Sequence, residues 1–190
     1  MALVILAGCD EKVAAPPPGR FASVKKNPKA TASFCEKSYP AEGEGARRFV
    51  PAPLRAFGTA AAVAPAGGWT WVNVWATWCK PCVEEMGMLN HWREAIGREG
   101  LAVSFELLSI DETGAQPALE ERQGKNLPGP IRWLRAEEDF GPFLDALGVD
   151  RGAAIPVHVL VDPKGMLRCV RVGAIHEQNY GAVRDLIAGG

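Results

Sequence analysis

The chain has no excess of charge. Its 21 lysines and arginines face 22 aspartates and glutamates, a formal net charge of −1 over 190 residues. That removes any overall electrostatic attraction to nucleic acid. No apolar run approaches the roughly 20 residues needed to cross a bilayer, and no internal repeat is visible. The three histidines, His91, His158 and His176, are dispersed, and none has a cysteine at metal-ligand spacing. They read as surface or core residues. The five cysteines, Cys9, Cys35, Cys79, Cys82 and Cys169, lack the second ligand pair that a structural zinc site requires. No metal site is expected. The 47% hydrophobic content suffices for one globular domain with its own core.

What the chain does have is a close thiol pair. Cys79 and Cys82 stand in Val74-Trp75-Ala76-Thr77-Trp78-Cys79-Lys80-Pro81-Cys82. Val72 to Trp75 read as the end of a buried strand, and the residues after Cys82 as a helix. Two thiols spaced in this way at a strand-to-helix turn can close a disulfide across the first helical turn. The helix N-terminus and the neighbouring Lys80 both favour a thiolate at Cys79. That pattern suits reversible thiol–disulfide exchange, for which no cofactor is expected beyond the Cys79–Cys82 pair itself.

The N-terminus carries apolar Leu3 to Ala7, then Gly8, Cys9 and Asp10. Small residues before a cysteine resemble a bacterial lipobox, in which the cysteine becomes lipidated. The basic stretch expected before such an apolar core is missing. Either the start lies upstream or the likeness is accidental. Val13 to Gly19, with Pro16, Pro17 and Pro18, reads as an extended tether. Together the two features place the domain outside the cytoplasm, lipid-anchored through Cys9 on the periplasmic side of a bacterial membrane. Arg20, Lys25, Lys26 and Lys29 read as solvated linker.

Three regions follow. Residues 1–33 are signal remnant and tether. Residues 34–68, punctuated by Pro51, Pro53, Pro65, Gly67 and Gly68, form an irregular N-terminal extension with one short strand near Arg48–Val50. Residues 69–190 are the α/β domain. Within it, strands are expected at Trp69–Ala76, Leu101–Ile110, Ile131–Leu134, Val157–Val161 and Met166–Val172. Helices are expected at Cys79–Arg98, Pro117–Gln123, Glu138–Leu147 and Glu177–Ala188. Met86, Leu89, Trp92 and Ile96 make one apolar stripe on the first helix, and Asp162-Pro163-Lys164-Gly165 is a turn.

Over about residues 69–189 the chain resembles thioredoxin-like proteins of the TlpA/ResA type. The likeness is carried by Trp71 to Cys82, by Glu85-Met86, by Ile155-Pro156 and by Val161 to Gly165. It implies a thioredoxin-like fold, a central mixed sheet with helices on both faces. It also implies Cys79 as nucleophile and Cys82 as resolving thiol. Pro156 would be a cis-proline that turns Ile155 toward the sulfurs. Trp78, Lys80, Pro81, Ile155 and Pro156 would contact substrate, with Trp78 a better groove residue than Trp75. Glu85 is either a proton acceptor for Cys82 or a plain helix acid.

Three positions depart from the family. Asn73 replaces the buried aspartate of cytoplasmic thioredoxins. Gly87 stands where a helix-kinking proline is usual. Residues 34–68 match the family's N-terminal hairpin poorly. Cys35 and Cys169 remain, either disulfide-bonded, as a second bridge in some relatives suggests, or two unrelated buried thiols.

The function implied is a membrane-anchored reductant of protein disulfides, of the cytochrome c or copper-site maturation type. A membrane thiol transporter would supply electrons, and the protein would act as a monomer without nucleic acid. A disulfide-forming oxidant is the same chemistry reversed. A Sco-like copper chaperone shares the fold but uses CxxxC and a downstream histidine, which disfavours it here.

Overall fold

The computed structural model describes residues 34–58, 67–123 and 125–190. Cys9, the tether and the basic residues that follow it lie outside them. The described residues form one eight-stranded mixed sheet with helices on both faces.

The central strand is β4, Trp69–Trp75, after β1 (Lys37–Ser38), β2 (Arg47–Arg48) and β3 (Leu54–Arg55). Helix α1, Lys80–Arg98, leads to β5, Val103–Ser109. Then come α2 (Gln116–Gln123), β6 (Ile131–Leu134) and α3 (Phe140–Leu147). The chain closes with β7 (Val157–Val161), β8 (Met166–Val172) and α4 (Tyr180–Ala188). Helices α2, α3 and α4 each begin with a 3₁₀ turn, at Thr113–Ala115, Glu137–Asp139 and Glu177–Asn179. The two acidic starts expected at Glu138 and Glu177 are therefore 3₁₀ turns and not α-helix.

The strand order is β1-β8-β7-β4-β5-β6-β3, with β2 also on β8. β4 is parallel to β5, β5 is parallel to β6, and β7 is antiparallel to both β4 and β8. Side chains alternate across β4. Trp69, Trp71 and Trp75 face α1 and its neighbours, while Val72 and Val74 face α3. Burial on both faces is why this strand reads as a nearly unbroken apolar run. The α1 stripe of Met86, Leu89, Trp92 and Ile96 is buried in full.

The described part of the extension, residues 34–58 and 67–68, has more regular structure than its sequence suggests. Three two-residue strands replace the single one expected. β1 pairs Lys37 with Val170, β2 pairs Arg47 with Leu167, and β3 pairs Leu54 with Leu134 at the far end of the sheet. A disulfide joins Cys35 to Cys169 across 134 residues, with both cysteines buried.

Candidate functional site

The end of β4 and the start of α1 bring the thiol pair to one point. Cys79 is the N-cap of α1, not its first residue, and its sulfur accepts the Cys82 backbone N–H at 3.3 Å. Cys79 and Cys82 are disulfide-bonded. Cys79 keeps 5% exposure and Cys82 none. Pro81, with no N–H to lose, sits in the first turn, where helix N–H groups have no partner. Lys80 projects outward and bonds to Glu84 at 2.6 Å. That hydrogen bond raises the Lys80 pKa from its usual value, and Glu84 partly offsets the positive charge beside Cys79.

The loop before β7 faces the disulfide. The Ile155–Pro156 peptide is cis, and the Ile155 carbonyl oxygen lies 3.9 Å from the Cys79 sulfur. Trp78 is 68% exposed. It borders a groove of about 690 Å³ with Arg55, Ile110, Glu112, Arg135 and Phe140. Trp75, also considered a groove residue, is fully buried beneath the pair in contact with the core.

The turn is held from below by Asp111, just past the end of β5. Its carboxylate accepts the Thr77 N–H at 2.9 Å, the Thr77 hydroxyl at 2.6 Å and the Ser109 hydroxyl at 2.8 Å. Trp133 donates its indole N–H to the Asp111 carbonyl at 2.7 Å. Arg55, from the extension, lies over the Trp133 ring at 4.4 Å.

Glu85 lies one turn after Cys82 on the inward face of α1, buried. Its Oε1 accepts Asn73 Nδ2–H at 2.8 Å, and its Oε2 accepts the Ile175 N–H at 3.2 Å. His158, fully buried, brings Nε2 to 3.4 Å from Glu85 Oε1. A crevice of about 700 Å³, lined by Pro81, Glu85, Met88, Ile175 and His176, reaches this carboxylate from solvent. Sequence reasoning placed Glu85 and noted Asn73 but missed Asp111 and the role of His158. The available signals were a histidine inside the otherwise apolar Val157–Val161 run and an aspartate directly after a buried strand. Helix α1 runs through Gly87 without interruption. Among the described residues no cluster of three or more His, Cys, Asp or Glu side chains could hold a metal ion.

A thioredoxin-related protein from Neisseria meningitidis serogroup B superposes with a TM-score of 0.53 at 20% identity, over 73% of this chain and 98% of that one. The chain has a thioredoxin-like fold. The thioredoxin domain of a thiol-disulfide oxidoreductase from Bacteroides vulgatus matches at TM-score 0.48 and 19% identity, over 64% of this chain and 81% of that one. StoA from Bacillus subtilis matches at 0.46 and 20%, over 63% and 84%. No family model matches the chain.

Proposed function

We propose that this protein is a thiol–disulfide oxidoreductase that reduces protein disulfides outside the cytoplasm. The observation that carries the reading is the Cys79–Cys82 disulfide at the α1 N-terminus, with the Ile155 carbonyl beside Cys79. In the reduced protein the Cys79 thiolate attacks one sulfur of a client disulfide. A mixed disulfide forms, and the client's other sulfur leaves as a thiolate. Cys82 then loses its proton to Glu85 and attacks the Cys79 sulfur. The second client thiolate leaves, and the Cys79–Cys82 bond closes. Two electrons pass from the dithiol to the client. Trp78, Lys80, Pro81 and the half-buried Ile155 form the contact surface around the attacked sulfur, whereas Pro156, expected to share it, is itself buried.

The likeness to TlpA/ResA-type proteins supports clients in cytochrome c or copper-site maturation and a membrane thiol transporter as electron donor. Leu6-Ala7-Gly8-Cys9 and the following prolines support a lipid anchor at Cys9. Cys9→Ser should release the protein from membranes; retention of that variant would remove the anchor from the reading.

The decisive test is the reduction potential of Cys79–Cys82 against a glutathione or dithiothreitol series. A value near or below roughly −220 mV places it with reductants, and one above roughly −150 mV makes it a disulfide-forming oxidant. A Cys82→Ser variant should hold its client as a mixed disulfide on Cys79, which names the client.

A further inference from the structure

Strand β7 carries one buried polar group in an otherwise apolar run. His158 is fully buried, and the other residues of β7 are Val157, Val159, Leu160 and Val161. Its Nδ1 lies 3.3 Å from Trp71 Nε1 and 3.3 Å from Asn73 Nδ2. An indole nitrogen only donates, and so does an amide NH₂. Nδ1 therefore carries the lone pair, and a neutral ring must keep its proton on Nε2. That atom is buried and makes no hydrogen bond among the described residues, and Glu85 Oε1 is 3.4 Å from it.

Glu85 accepts N–H groups from Asn73 of β4 and Ile175 after β8, and His158 of β7 places Nε2 3.4 Å from its Oε1. A carboxylate offers about four acceptor sites. Two hydrogen bonds and the His158 contact still leave a site for an incoming proton, and Cys82 is one helical turn away on the same face. We propose that His158 is the positioning residue for Glu85: Trp71 and Asn73 fix its tautomer, and its Nε2–H holds the carboxylate in place to take the Cys82 proton. This rests on the reading of Glu85 as the base for Cys82.

Other charges near the group are few. Arg171 of β8 stands directly opposite His158 in the β7–β8 register. Its Nη1 donates to the Phe34 carbonyl, and its guanidinium lies over the Phe34 ring. Glu84, His176 and Glu177 line the crevice that reaches Glu85.

The test follows the two steps separately. The reduced full-length protein is mixed with dithionitrobenzoate. Cys79 attacks and releases one thionitrobenzoate; Cys82 then resolves the mixed disulfide and releases a second. The rate of the second phase is recorded against pH. Glu85→Gln should slow it by about 100-fold or more near neutrality. His158→Leu should slow it by about tenfold and displace the pH profile, as loss of an N–H partner to a charged group does. His158→Gln keeps an N–H donor and should stay within about threefold of wild type. In the Glu85→Gln background, His158→Leu should add nothing, because the two act as one unit. The proposal falls if the His158→Leu profile superposes on wild type, or if the slowing is the same in both backgrounds. A wild-type rate in Glu85→Gln is a different result, which removes the base reading itself. Should His158→Leu not fold, imidazole ¹⁵N shifts of the wild-type protein decide: an Nε2–H tautomer at His158 is expected, and an Nδ1–H tautomer overturns the assignment.

Discussion

Thr77 is bound to Asp111 through both its backbone and its side chain. The N–H reaches the two carboxylate oxygens at 3.1 and 2.9 Å, and the hydroxyl reaches Oδ1 at 2.6 Å. The residue two places before Cys79 is thereby tied to the end of β5. Asp111→Ala leaves the Thr77 N–H without this acceptor and should lower stability by about 2 kcal/mol. Urea denaturation of the oxidised protein measures it; an unchanged midpoint would mean that water replaces the carboxylate at no cost.

The Cys35–Cys169 bond closes a loop across 134 residues. Replacing both cysteines by serine should cost about 4–5 kcal/mol in the chain-entropy account. Exchange at Cys79–Cys82 should survive under conditions where the variant remains folded. Paired denaturation and thionitrobenzoate-release measurements separate the two effects.

Gly148 ends α3 in the left-handed region, at φ 75°. A Cβ there would collide with the Tyr39 hydroxyl, which donates to the Leu147 carbonyl at 2.8 Å. Gly148→Ala should therefore destabilise by at least about 1 kcal/mol, and Tyr39→Phe should recover part of the loss in a double-mutant cycle.

Gly87 behaves oppositely. It is exposed in mid-helix, and a Cβ would meet nothing within 4 Å. Gly87→Ala should raise stability by about 0.5–1 kcal/mol. A thermal melt with no gain would point to a need for flexibility at this position.

Tyr180 is buried and donates to Glu99 at 2.9 Å. Burial, assisted by that hydrogen bond, pushes the phenol well above its ordinary value. Above about pH 10 the unfolded chain loses this proton while the folded protein keeps it. Stability from this group is thus complete below that pH and declines as pH rises. Tyr180→Phe should flatten the decline, and denaturation at pH 9 and pH 11 compares the two slopes.

The parts of this molecule legible in the sequence are those written locally. Cys79, Lys80, Pro81 and Cys82 occupy four consecutive positions, and the α1 stripe repeats every three or four residues. β4 declares itself by apolar side chains on both faces. Strands β1, β2 and β3 carried no such signal: each has only two residues, none of them buried, and pairs with a partner about 80 to 130 residues away. Asp111 and His158 were equally hidden. Their partners Thr77 and Glu85 lie 34 and 73 positions away in the chain, and only the sheet register brings Asn73 opposite His158. Trp75 shows the converse limit. Adjacency to a reactive motif suggested a surface role, but both faces of β4 are covered, and its ring lies in the core.

The three small strands of the extension have a colloidal consequence. β6 and β8 would otherwise present their outer rows of amides and carbonyls to solvent, the usual template for edge-to-edge aggregation. The β8 margin is instead finished by two ribbons of two residues each, β1 and β2, the latter being Arg47 and Arg48, and the β6 margin by β3, which carries Arg55. A foreign strand finds no extended backbone there to copy. The thiol pair, at the N-terminus of α1, stands apart from these short borders.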